Sequence, residues 1–100
     1  MNQLILNSAS LYLSGRQLSL LYARDRDGQA EHGHLTSDRL YNHNWQAEAE
    51  EELIDALWYL TAAAITEEVE RHKLIVEAAR LHVVDALNLI DSMHHKETIK

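Results

Sequence analysis

From Asn44 onward the chain alternates apolar and polar positions at helical spacing. Ala49, Leu53, Ala56, Leu60 and Ala63 form one stripe, and Ile54, Leu57, Trp58, Thr61 and Ile65 form a second beside it. Two adjoining stripes predict a helix with neighbours on two sides. Asn44 supplies an N-cap for that helix, and Glu48 and Glu50 suit its positive end. The small residues at 49, 56 and 63 recur every seven positions, which favours close approach of another helix. A third helix is expected to about His94, with Ile75, Val76, Ala79, Val83, Leu87, Ile90 and Met93 as its apolar positions and Leu74, Ala78 and Leu81 alongside. Thr66, followed by EEVE, is a candidate cap for it. No turn residue lies between Ala64 and His72. Either the chain folds back there, or a single helix of roughly 50 residues extends about 75 Å and buries its stripes by oligomerising.

The N-terminal half is less regular. A first helix is predicted from about Ser8 to Arg26, with Leu11, Leu18, Leu21 and Tyr22 on one face and Leu13, Gln17, Leu20 and Arg24 on another. Gly15 falls inside it, and Gly28 is the expected C-cap. Residues 1–7 read as an N-terminal extension, residues 27–43 as a long polar loop with a helical turn near Ser37 to Tyr41, and residues 96–100 as a frayed tail. The chain has no proline, and all three glycines lie in its first third. The expectation is one all-α domain of three main helices, or two with one very long, assembling as a helical-bundle dimer or higher oligomer.

Composition narrows the chemistry. One hundred residues, 46% of them apolar, are one domain's worth. The absence of cysteine excludes disulfides, thiolate zinc sites and cysteine nucleophiles. A net charge of −7 opposes direct nucleic-acid binding and suits metal ions, basic partners or mimicry of a nucleic acid. The N-terminus, MNQLILNSASLYL, lacks the basic start of a signal peptide. The longest near-apolar run, Leu53 to Ile65, contains Asp55 and is short for a membrane span. A cytoplasmic location is the resulting expectation.

The candidate chemistry concentrates on the second helix. Glu48, Glu51, Glu52 and Asp55 stand at i, i+3, i+4 and i+7, along one edge. Carboxylates so spaced can converge on Mg²⁺ or Mn²⁺, which bind phosphates and orient water; a solvated acidic face has the same spacing. The edge runs from a polar into an apolar region, so Asp55 is expected to be the enclosed member. Arg24, Arg26 and Arg39 flank the long loop as candidates for ion pairing or phosphate binding. His32 and His34, with Glu31, form a conceivable metal pair in that loop. His82, Asp85 and Asn88 are spaced to form either an internal polar network facing Asp55 or an inter-subunit contact.

The string WQAEAEEELIDALWYL, Trp45 to Leu60, resembles the second metal-binding motif of the MazG-like all-α nucleoside triphosphate pyrophosphohydrolases. That motif is ExxD on a helix, matched here by Glu52 and Asp55. The preceding R..DG, HG, DR and W are similar to small MazG-like proteins of bacteriophages. The likeness covers about 40 residues. The family's first motif, EExxE on a preceding helix, has no counterpart here. The resemblance implies a helical dimer or tetramer that uses Mg²⁺ to split a nucleoside triphosphate into the monophosphate and pyrophosphate. On that reading Glu48, Glu51, Glu52 and Asp55 hold the metal, Glu51, Glu52 and Asp55 carry catalysis, and Arg24, Arg26 and Arg39 bind phosphates. The alternative is a non-catalytic acidic protein that binds and inhibits a host protein, for example as a nucleic-acid mimic. A purely structural helical oligomer is a third reading.

Overall fold

The computed structural model describes residues 2–98, with side chains through His94. These residues form five helices, α1 (Asn2–Ser10), α2 (Gly15–His32), α3 (Ser37–Asn42), α4 (Trp45–Thr66) and α5 (Glu70–Thr98), and no strand. The all-α expectation holds. The chain divides into two compact units, residues 1–43 and 44–100.

In the first unit, helix starts beyond the expected three replace loops. Residues 2–10 are helical rather than an extension, and the expected helix over Ser8 to Arg26 is interrupted after Ser10. Ser14 then caps α2 reciprocally: its hydroxyl accepts from the Gln17 N–H, and the Gln17 side chain accepts from the Ser14 N–H. This capping box satisfies two otherwise orphaned donors, so Gly15 opens a helix instead of lying inside one. The predicted stop at Gly28 is also displaced. α2 continues through Gly28 to His32 and closes at Gly33, whose φ of 77° is the only positive value among the described residues. Thr36 caps α3 by accepting from the Arg39 N–H.

α1 folds back along α2, so that its first residue reaches far along the chain. The Asn2 side chain donates to Asp25 Oδ1 at 2.8 Å and accepts from the Leu35 N–H at 2.8 Å. Gln29 donates to the other Asp25 oxygen at 2.6 Å. Leu6 and Leu35 are the buried apolar residues of this unit.

The second unit is a helical hairpin. Asn44 caps α4 as expected, accepting from the Ala47 N–H. At the far end Glu67 leaves the helix with extended backbone, φ −71° and ψ 125°. Its carboxylate accepts from the Val69 N–H at 3.1 Å and lies 3.8 Å from His72 Nδ1. The chain folds back here, and α4 and α5 pack side by side. The line Leu53, Ala56, Leu60, Ala64 on α4 is at least half-shielded, as are Val76, Ala79, Val83, Leu87 and Ile90 on α5. Ala64 is 2% exposed and is the buried residue of the hairpin. A small side chain there lets the helices approach closely beside the corner. Of the expected frayed tail, residues 96–98 are helical and the last two lie outside the described residues.

Candidate functional site

α4 carries two functional features on different sides. Its five acidic residues, Glu48, Glu50, Glu51, Glu52 and Asp55, lie in the first half, and the helix has no basic residue. Leu60 belongs to the line turned toward α5, and at 100° per residue Asp55 lies about 140° around the helix from it. Asp55 is accordingly exposed, not enclosed. This corrects the expectation drawn from its apolar neighbours: Ile54 and Trp58, which surround it in sequence, are themselves exposed. Water, rather than a buried counter-charge, solvates the carboxylate.

Glu48, Glu51 and Glu52 are exposed as well. Among the described residues no three His, Asp or Glu side chains gather closely enough to hold a metal ion, and no cation lies against Glu51, Glu52 or Asp55. Arg24 and Arg26 are exposed on α2, and Arg39 donates from Nη1 to the His32 carbonyl at 3.3 Å. These three arginines belong to the first unit and the acidic edge to the second. His32 sits 3.6 Å from Glu31 on the surface. His82, Asp85 and Asn88 are all exposed. They make no hydrogen bond to one another among the described residues.

The second stripe of α4 is the other feature. Ile54, Leu57, Trp58, Thr61, Ala62 and Ile65 line an open apolar depression of ≈ 480 Å³. Thr61 does not interrupt its character, because its hydroxyl is spent on the Leu57 carbonyl at 2.7 Å. Trp58 and Tyr59 meet edge to face, with ring centroids 5.5 Å apart.

A polar hollow of ≈ 410 Å³ in the first unit, lined by Asn2, Gln3, Leu6, Asp25, Gln29, His34 and Leu35, was not foreseen from sequence. The Asp25–Gln29 pair has readable i, i+4 spacing. The arrival of Asn2 from 23 residues away has no local signal. Both Asp25 oxygens are occupied by amide donors, so the cluster fastens α1 to α2.

The chain matches no family model, no curated protein and no solved structure. Among the described residues no helix is long and apolar enough to cross a membrane.

Proposed function

We propose that the chain is a MazG-like nucleotide pyrophosphohydrolase that uses Mg²⁺ to convert a (deoxy)nucleoside triphosphate to the monophosphate and pyrophosphate. The observation that carries this reading is the open ExxD pair on α4: Glu52 and Asp55 lie one turn apart, exposed and without a competing cation. An all-oxygen donor set fits Mg²⁺, which commonly keeps several waters and takes one or two carboxylates plus substrate phosphates. Two adjacent carboxylates are therefore a sufficient protein contribution. Glu52 and Asp55 would hold the ion, with Glu48 and Glu51 extending the edge. Bound there, Mg²⁺ supplies neutralisation of the triphosphate. One of the catalytic carboxylates, Glu51, Glu52 or Asp55, takes the proton of the water that breaks the α–β anhydride.

Pyrophosphate release from mixed dNTPs with Mg²⁺ tests this. The Glu52→Gln, Asp55→Asn double variant should lose at least about 100-fold in rate, the usual worth of a positioned proton acceptor. Wild-type turnover no greater than that of the double variant would refute it.

The exposure of the same edge favours a second reading. Four exposed carboxylates, Glu48, Glu51, Glu52 and Asp55, along one edge of a helix without a single base form an anionic strip, the chemistry of a protein that occupies a basic groove on a host protein. Capture of one saturable basic partner, weakened by Glu50→Lys and Glu51→Lys, together with no turnover, would select this reading.

A further inference from the structure

We propose that the apolar depression on α4 is the docking groove for a basic amphipathic helix of another protein, seated on Ile54, Trp58 and Ile65 and held at one end by lysines or arginines on Glu51 and Asp55. The residues lining the depression, Ile54, Leu57, Trp58, Thr61, Ala62 and Ile65, all belong to α4. They stand at i, i+3, i+4, i+7, i+8 and i+11, so the depression follows the helix axis for about 16 Å, three turns. A channel of that shape accepts the apolar ridge of a second helix. Trp58 is 69% exposed and Ile65 75%, so both ends of the contact are open.

Charge selects the occupant. At 100° per residue, Ile54, Trp58 and Ile65 lie within about 40° of one another around the helix. Toward the helix start their line passes between Glu51, about 40° to one side, and Glu50, about 60° to the other, and Asp55 stands about 80° away on the side of Glu51. Glu51 and Asp55 are exposed, and α4 holds no base. The groove is thus apolar along its length and anionic at one end. A second α4 matches it poorly: laid parallel it sets these carboxylates against their own copies, and laid antiparallel it sets them against Ile65. An anionic lipid surface is repelled by the same groups. A helix with an apolar stripe and basic residues beside one end complements both parts. Trp58, large and central, is the expected anchor. The inference rests on the second reading above, binding of a basic partner, and is independent of nucleotide hydrolysis.

The probe is a capped peptide of about 18 residues with leucine on one helical face and lysine on the other, long enough to hold a helix. Calorimetry with the full chain should give a Kd on the order of 10 µM at low salt. Trp58→Ala and Ile65→Ser should each weaken binding at least about ten-fold, and Leu20→Ala should not. Glu51→Lys together with Asp55→Lys should weaken it about as much and flatten its salt dependence. The chain has no cysteine, which permits a check independent of the folding of these variants. A polarity-sensitive fluorophore on Ala62→Cys should shift to the blue when the peptide binds, and the same fluorophore on Ser19→Cys should not. Binding that responds to the charge reversals but not to Trp58→Ala or Ile65→Ser overturns the groove and leaves the second reading standing. No binding of the peptide, or a blue shift at Ala62→Cys only with phosphatidylcholine vesicles, overturns the inference as well, and the second reading then stands or falls by capture of its own basic partner.

Discussion

The two units are held by different forces. In the first, a short helix is tied to a longer one by directed polar contacts, with the Asn2 amide at the centre and Leu6 and Leu35 beneath. In the second, two long helices lie along each other, and the shielded positions between them are apolar. The difference follows from length. Nine residues of α1 cannot present a stripe long enough to fix their own position, whereas 22 and 29 residues can. Hydrogen bonds supply position where burial is too small to do so.

That contrast can be broken at its tightest point first. Ala64→Glu places a charge where the helices touch. It should cost about 3 kcal/mol or more, seen as lost amide protection over residues 53–87, with residues 2–43 keeping theirs. Simultaneous loss in both units would show that they unfold together. Asn2→Ala removes a donor to Asp25 and an acceptor from the Leu35 N–H. Its expected cost is about 1–2 kcal/mol, read by hydrogen exchange as fraying confined to α1 and the Leu35 segment. An effect spread into α4 and α5 would contradict a local clamp. The smallest effect has the opposite sign. Gly28 is mid-helix with nothing within 4 Å of an added Cβ, so Gly28→Ala should stabilise α2 by about 0.5–1 kcal/mol. The same change at Gly33, with its φ of 77°, should destabilise. A chemical-denaturation series on the two alanine variants separates the signs.

What the sequence made readable was whatever repeats. The paired stripes of α4 and the Asn44 cap were legible because each follows from spacing or from one side chain acting on its neighbours. The Ser14–Gln17 box was equally legible, as Ser followed three residues later by Gln, and is the signal that would have separated α1 from α2. The direction of α5 was not legible, because Thr66 to Glu70 contains no residue that forbids helix. At the candidate site, spacing placed Glu48, Glu51, Glu52 and Asp55 along one edge, and the structure keeps them there. Their solvation was misjudged at Asp55 because apolar neighbours in sequence were taken for apolar surroundings in space. Ile54 and Trp58 belong to the uncovered stripe, so a carboxylate between them still meets water.

The corner between α4 and α5 has a consequence of its own. Glu67 there has ordinary backbone angles, held by one carboxylate reaching Val69 and His72. Stereochemistry does not dictate that bend, as it does at Gly33. The reversal is thus an effect of the helices attracting each other, not its cause. Were that attraction removed, the same covalent chain would have no reason to turn.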